Sequence, residues 1–215
     1  MKSSAIERLI AGFKVFRTRY FEQRPELFAD LASKGQSPEV LVIGCSDSRA
    51  DPAILLGTEP GELFVIRNVA NLVPPYQPDS YYHGTSAAVE FAVRDLGVKH
   101  IVVLGHSGCG GIKALIDSQE SGKLEGREFI ANWVSIAGRA RAVLAADSIR
   151  ADPEQECRLV EKASVRVSLE NLMSFPWIRR KVRAGELSIH GWWFNLESGE
   201  LWGIEAPEAE FRVLS

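Results

Sequence analysis

The sequence predicts an α/β fold in which helices flank a mostly parallel central β-sheet. Three short apolar runs, rich in β-branched residues, have the composition of buried strands: Val40–Ile43, Leu63–Ile66 and Ile101–Leu104. A helical pattern from about Gly84 to Leu96, with Gly97 as its stop, separates the second run from the third. Buried strands that alternate with helices are typical of parallel sheets.

The N-terminal segment predicts two helices ahead of the first strand. Ser4 and Glu7 have the spacing of a capping box. Apolar residues then recur at helical intervals, at Ile6, Leu9, Ile10, Phe13 and Phe16. A second helix is expected from Pro25 to about Ser33. This helical arm, residues 1–35, can pack on the protein's own core or on a partner subunit.

Further helices and then two strands are expected in the C-terminal half. The helical patterns cover about residues 128–146, 153–173 and 177–184, and the last stops at Gly185. Residues 188–196 and 201–204 have strand patterns, and the turn between them predicts an antiparallel strand at the C-terminal edge. We therefore expect a single domain over residues 1–215, with an α/β core at 36–205.

Composition narrows the classes of function. The chain has 215 residues, a net charge of −3 and a pI of about 5.9, which argues against nucleic-acid binding and against a basic membrane-binding patch. No apolar run approaches the ~18 residues that span a bilayer, and charged residues interrupt any N-terminal signal-peptide core. Three widely spaced cysteines favour a reducing compartment, so we expect a cytoplasmic protein.

Soft metal ligands follow two of the predicted strands. Cys45 comes after Gly44 at the end of the first strand, and His106 comes after Gly105 at the end of the third. Ligands gather beyond the carboxyl ends of parallel strands. Cys109 lies three residues after His106, so all three side chains can reach one ion. This set suits zinc, and three protein ligands leave a fourth position for water.

A charged pair lies beside the first cysteine. Asp47 is two residues after Cys45, so in an extended segment the two side chains point the same way. Arg49 can hold the Asp47 carboxylate with both arms of its guanidinium group. Two states of the site are therefore expected. The metal keeps an open coordination position while Arg49 holds Asp47, and this position is filled if Asp47 binds the metal.

Other interpretations of these residues stay open at this point. A lone cysteine or histidine is more often a packing residue than a ligand, and we interpret Cys157 in this way. A structural zinc site is a second possibility, although such sites normally have four Cys or His ligands. The glycine-rich segment 105–113 has some likeness to a phosphate-binding loop, but Lys and Ser or Thr do not directly follow its last glycine.

Taken together, the motifs resemble those of the β-class carbonic anhydrases. The resemblance covers about residues 36–204 and rests on Cys45-Ser46-Asp47-Ser48-Arg49 with His106-Ser107-Gly108-Cys109, and further on Glu59-Pro60-Gly61-Glu62, Arg67-Asn68-Val69-Ala70-Asn71, Gly110-Gly111-Ile112 and His190-Gly191-Trp192. It implies one zinc ion per chain, held by Cys45, His106 and Cys109, with Asp47 and Arg49 as the catalytic pair. It also implies a homodimer that can assemble to a tetramer or higher, with the N-terminal helices embracing the partner and the active-site cleft at the dimer interface.

The resemblance is to the plant-like subtype of that family. Gln36 matches a glutamine that hydrogen-bonds substrate, and Phe64 matches an apolar residue of the cleft. Val42 stands where the other subtype has a tryptophan beside an inhibitory bicarbonate pocket, so we expect no such pocket. Phe91 replaces a cleft tyrosine, and Gly110 completes the residues that the resemblance assigns to the substrate cleft.

The resemblance implies reversible hydration of carbon dioxide to bicarbonate and a proton, by attack of zinc-bound hydroxide. Two thiolates cancel the charge of zinc, so we expect a bound water less acidic than at a three-histidine site, and activity that rises toward alkaline pH. Two alternatives stay open: hydrolysis of carbon disulfide or carbonyl sulfide, and a zinc-binding scaffold with a closed site. The scaffold would need none of Asp47, Arg49 and Gln36, so their presence argues against it.

Overall fold

The computed structural model describes residues 4–79, 81–121, 124–146 and 152–215. It divides into two compact units, one ending at Ser37 and the other beginning at Pro38. Within the described ranges, no helix combines the length and the apolar character that crossing a membrane requires. The elements that carry the predicted metal ligands all belong to the second unit.

The N-terminal unit consists of two helices joined by a turn of π-helix. Helix α1 spans Ala5–Arg17, the π turn spans Thr18–Glu22, and α2 spans Pro25–Lys34. The predicted capping box is confirmed, because the Ser4 hydroxyl accepts the Glu7 N–H at 3.2 Å and the Glu7 carboxylate accepts the Ser4 N–H at 2.7 Å. Aromatic rings pack together within this unit: Phe16, Tyr20, Phe21 and Phe28.

A six-stranded sheet forms the centre of the second unit. Its strands are β1 (Val40–Cys45), β2 (Leu63–Asn68), β3 (His100–His106), β4 (Ser188–Phe194), β5 (Leu201–Ile204) and β6 (Arg212–Val213). The order across the sheet is β2-β1-β3-β4-β5-β6. The first four strands in that order are parallel, and β5 and β6 are antiparallel to their neighbours. The expected parallel sheet with an antiparallel C-terminal edge is therefore confirmed.

Helices of the second unit supply the layers around the sheet. Their bounds are α3 (Pro52–Leu55), α4 (Gly84–Glu90), α5 (Gly110–Ser121), α6 (Ile130–Val134), α7 (Val143–Ala146), α8 (Pro153–Ser174) and α9 (Pro176–Arg183). On α8, Val165 and Leu169 are fully buried in one core cluster with Ile43 of β1 and Val103 of β3. The long α8 is thus anchored against the strands whose ends carry the predicted ligands.

One glycine lets α8 approach the sheet closely. A Cβ atom added at Gly105 of β3 would lie only 2.8 Å from a methyl carbon of Val165. A larger side chain would therefore push the helix away. Since Gly105 precedes His106, this close approach occurs directly beside the predicted metal ligand.

Some boundaries differ from the sequence-based expectations. The helix expected over 128–146 is instead α6, a 3₁₀ segment at Ser135–Ala142, and α7. Gly138 lies within the 3₁₀ segment, where its backbone entropy disfavours regular α-helix. The helix that starts at Gly84 ends in a π turn at Phe91–Asp95, and Gly97, with φ of +68°, provides the expected stop.

Candidate metal centre

Three potential metal ligands meet at the carboxyl ends of two neighbouring strands. Cys45 is the last residue of β1, and His106 is the last residue of β3, which pairs with β1 in parallel. Cys109 lies in the turn between β3 and α5. The two sulfur atoms are 4.0 Å apart, and one ligand atom from each residue lies within 4.8 Å of the others. All three residues are buried. The carboxyl ends of β1 and β3 therefore bring together a compact, buried set of two sulfur ligands and one nitrogen ligand.

The imidazole of His106 is oriented as metal ligands usually are. Its Nδ1 lies 2.9 Å from the carbonyl oxygen of Ser107, and a proton on Nδ1 can be donated to that oxygen. Its Nε2 is buried without a hydrogen-bond partner in the described residues. A buried polar atom left alone is costly, whereas a metal ion would accept its lone pair. This orphan nitrogen shows that the site fits a zinc ion of the Cys₂His type.

Backbone amides surround the Cys45 sulfur. The N–H groups of Asp47 and Ala70 each donate to Sγ at 3.4 Å. Ala70 and Asn71 have φ values of +67° and +49°, a left-handed conformation that is uncommon for residues other than glycine. The Trp133 indole N–H donates to the Val69 carbonyl at 2.7 Å and helps to hold this strained turn. The strained backbone at Ala70 therefore lies where its N–H donates to the Cys45 sulfur.

The two neighbouring thiols have different pKa values. The hydrogen bond with the Cys109 sulfur lowers the pKa of the Cys45 thiol, and the same interaction raises the pKa of Cys109. The metal-free pair therefore loses its first proton more easily from Cys45 than from Cys109. Binding of a metal ion would displace the remaining proton, so metal affinity should increase with pH.

Asp47 and Arg49 form the charged pair that the sequence predicts. Arg49 donates from Nε to Oδ1 at 3.0 Å and from Nη2 to Oδ2 at 2.8 Å, and its backbone N–H also reaches Oδ1. These bonds from Arg49 hold the pKa of the Asp47 carboxyl well below its usual range. Oδ2 is also 4.0 Å from the orphan Nε2 of His106, so the carboxylate lies next to the ligand set while Arg49 holds it.

Arg67 is a further residue of the site. It belongs to a motif named in the sequence analysis, but no role was predicted for it. Its guanidinium group donates to the carbonyl oxygens of Cys45 and Asp47 at 2.9 and 2.7 Å. It also forms an ion pair with Asp51 at 2.6 Å, and Asp51 caps α3. Arg67 thus fixes the backbone of the segment that carries both Cys45 and Asp47.

A buried carboxylate on α8 was missed altogether. Glu161 is 2% exposed, and its Oε1 accepts the backbone N–H of Cys109 at 2.9 Å. Its Oε2 accepts the indole N–H of Trp193 at 3.3 Å. Burial raises the pKa of Glu161 to about 7. A signal for this residue was available, because Glu161 lies one helical turn before Val165 on the face of the predicted helix that carries Val165 and Leu169.

The remaining predicted site residues occupy several places in the fold. Phe64 of β2 and Phe91 face each other with ring centroids 5.9 Å apart. Gly110 is the first residue of α5. Gln36 is exposed near the end of the N-terminal unit, and its proximity to the metal ligands stays a prediction. Cys157 on α8 is a half-buried free thiol that packs beside the core cluster around Cys109.

Comparisons with known proteins agree with this geometry. Residues 40–201 match the family described as carbonic anhydrase. Beta carbonic anhydrase 3 of Arabidopsis thaliana is 38% identical over 216 residues, which cover 100% of this chain and 83% of that protein. The chloroplastic beta carbonic anhydrase 5 of the same plant is 43% identical over 183 residues, which cover 85% of this chain and 59% of that protein.

Solved structures give the same result. The β-carbonic anhydrase CcaA superposes with a TM-score of 0.89 at 33% identity, covering 99% of this chain and 93% of its own. A tetrameric β-carbonic anhydrase from Sordaria macrospora superposes with a TM-score of 0.79 at 30% identity, covering 99% and 98%. With its parallel sheet and a buried Cys45–His106–Cys109 cluster that can hold the family's zinc ion, the chain belongs to the β-carbonic anhydrases.

Proposed function

We propose that the protein catalyses the reversible hydration of carbon dioxide to bicarbonate and a proton. The observation that carries the proposal is the buried Nε2 of His106, which has no hydrogen-bond partner among the described residues and lies 4.0 Å from Asp47, in a residue that clusters with two cysteine sulfurs. A zinc ion held by these three residues would lower the pKa of a bound water molecule and make hydroxide available near neutral pH. The protein groups around the zinc site would bind the substrate, orient the attacking oxygen and accept hydrogen bonds from it.

Asp47 is proposed to orient the attacking oxygen. Because its pKa is held low, Asp47 is ionised at neutral pH and can only accept hydrogen bonds. Arg49 occupies both carboxylate oxygens, which keeps Asp47 beside the ligand set instead of within it. A fixed acceptor of this kind selects one orientation of a hydroxyl hydrogen and leaves the oxygen lone pair toward the substrate.

The substrate side of the proposal uses apolar residues and an amide. Phe64 and Phe91 offer an apolar wall suited to carbon dioxide, which has no charge. The family resemblance supports Gln36 as a donor to a substrate oxygen and Gly110 as a cleft residue that leaves room for it. A zinc-bound site with two thiolates also supports activity that rises toward alkaline pH.

Assembly and compartment belong to the same proposal. We expect a homodimer that assembles to a tetramer or higher, since α1 exposes the large apolar side chains Ile6, Leu9, Ile10 and Phe13. All three cysteines are free thiols, which supports a reducing compartment such as the cytoplasm. One relative is a chloroplast protein, and the chloroplast stroma would satisfy the same chemical requirement.

Stopped-flow hydration of carbon dioxide tests the proposal directly. The zinc-loaded protein should turn over rapidly, and faster at about pH 8.5 than at about pH 7. An Asp47→Asn variant, which keeps the size of the side chain but removes its charge, should retain zinc and lose most of the activity. Absence of turnover in zinc-loaded wild type would overturn the proposal, and carbon disulfide would be the next substrate to examine.

A further inference from the structure

Two histidines lie together at the end of the sheet opposite the metal centre. His100 is the first residue of β3, and His190 is the third residue of β4. His106 ends the same strand that His100 begins, so His100 lies about 20 Å from the metal ligand His106 along β3. The His100–His190 pair therefore has no part in the zinc site described above.

The register of the strands explains why the rings meet. His190 pairs with Val102, and His100 lies two residues before Val102 on the same strand. The two side chains thus project from the same face as diagonal neighbours, a distance that aromatic rings can bridge. Nδ1 of His100 is 3.2 Å from Nε2 of His190, and the ring centroids are 5.4 Å apart.

This nitrogen separation suits two ligands of one metal ion. With metal–nitrogen bonds of about 2.1 Å, two tetrahedral ligands lie about 3.4 Å apart, and two ligands at a right angle lie about 3.0 Å apart. The observed 3.2 Å falls between these values. In the metal-free protein an N–H of one ring can donate to the nitrogen of the other, and an ion could take the place of that proton with a small rotation of the rings.

The surroundings leave the pair accessible and supply a carboxylate. His100 is exposed and His190 is half-buried, so water can complete a coordination shell. Glu205 follows Ile204, the last residue of β5, and Ile204 pairs with Gly191, the residue after His190. Its carboxylate forms an ion pair with Arg212 at 3.0 Å, and its negative charge favours a cation at His190.

The protonation state also favours a ligand role. Burial, together with the neighbouring His100, lowers the pKa of His190. Its ring is therefore neutral near pH 7, and a neutral imidazole is the form that binds metals. The negative charge of Glu205, which is paired with Arg212, opposes this lowering of the His190 pKa.

We propose that His100 and His190 form a second site, for a divalent transition-metal ion of the Zn²⁺ or Ni²⁺ class. Imidazole nitrogens suit these ions. Water molecules would complete the shell, and Glu205 would lie just outside it. Because its ligands come from two neighbouring strands, an ion bound there would link β3 to β4. With only two protein ligands, the site should bind far more weakly than the cysteine-containing centre.

Metal titration of the zinc-loaded protein tests this proposal. NiCl₂ added to protein that already holds one zinc ion should bind as one further equivalent per chain, by calorimetry. His100→Gln and His190→Gln should each weaken this binding by at least about tenfold, and leave the first zinc ion in place. His83→Gln is the matched control, since His83 lies elsewhere beside Asp79 and should not alter the second equivalent.

A spectroscopic readout protects the test against a variant that folds poorly. In wild-type protein, paramagnetic Ni²⁺ should broaden the imidazole NMR signals of His100 and His190 before those of His83. Absence of a second equivalent up to about 1 mM Ni²⁺ would overturn the proposal. So would a second equivalent that both His100→Gln and His190→Gln retain at full affinity.

Discussion

Glu161 and Cys109 are joined by a buried hydrogen bond across more than fifty residues of sequence. The Glu161 carboxylate accepts the Cys109 N–H at 2.9 Å while its second oxygen accepts the Trp193 indole N–H. The bond connects α8 to the turn that carries a ligand sulfur. The close approach of Val165 to Gly105, one helical turn along α8, makes this reach possible.

Replacing Glu161 by Gln should weaken zinc binding. The Gln side chain has one acceptor oxygen, so its NH₂ group must face either the Cys109 N–H or the Trp193 N–H. The turn would lose its fixed position, and zinc affinity should fall by about 10–100-fold. Equilibrium competition for zinc with a chelator of known affinity measures this.

A double variant supplies the control for the Glu161 prediction. Trp193→Phe removes one of the two donors, so Glu161→Gln in that background has to satisfy only the Cys109 N–H. Zinc affinity in the double variant should recover part of the loss. Equal zinc affinity of wild type and Glu161→Gln would contradict the positioning role.

The same residue predicts a pH dependence of stability in the zinc-free protein. Burial raises the pKa of Glu161 to about 7, whereas in the unfolded chain it is about 4.3. The unfolded chain therefore loses its proton first as the pH rises, and the contribution of Glu161 to stability, complete below about pH 4, declines up to about pH 7. The decline should be no more than about 4 kcal/mol, and chemical denaturation at several pH values measures it. Glu161→Gln should lack this decline, and a variant with the same pH dependence as wild type would refute the assignment.

Replacing Arg49 by Gln should impair activity without removing the metal. The variant loses both guanidinium bonds to Asp47, whose carboxylate is then free to turn toward the ligand set 4.0 Å away. Misplacement of this size can cost about 100-fold in turnover. Stopped-flow rates with zinc content measured on the same samples would show it. Arg49→Lys keeps the charge but not the two-armed contact, so if it restores full activity, charge alone is sufficient.

The metal ligands could be predicted from the sequence because each follows a recognisable strand. Cys45 and His106 end β1 and β3, and parallel pairing of two such strands brings their ends together whatever the rest of the chain does. Glu161 could not be placed in this way. It lies on a helix more than fifty residues after Cys109, and only the packing of α8 against β3 brings it to the site.

The elements that sequence reasoning missed are those with weak local signals. Helix α5 begins with Gly110 and Gly111, which are poor helix formers, so no helix was predicted there. Strand β6 has two residues, too few for any alternation to be visible. The left-handed turn at Ala70 and Asn71 was also hidden, because neither residue type demands that conformation; the surrounding hydrogen bonds hold it.

The exposed apolar face of α1 leads to the last prediction, which concerns assembly. Ile6, Leu9 and Phe13 are 65%, 70% and 62% exposed, although their spacing places them on one side of the helix. An exposed apolar face of this kind marks an interaction surface, and a second copy of the chain is the proposed partner. A charge at its centre should therefore weaken association.

Leu9→Glu and Ala11→Glu form a matched pair for this test. Both place a carboxylate on α1, but Ala11 is exposed on the side opposite to Leu9. Light scattering during size-exclusion chromatography should show smaller particles for Leu9→Glu and the wild-type mass for Ala11→Glu. Each substitution costs little helix propensity, so a loss of assembly in Leu9→Glu alone would place the interface on the apolar face. An unchanged mass in both variants would mean that the subunits associate through another surface.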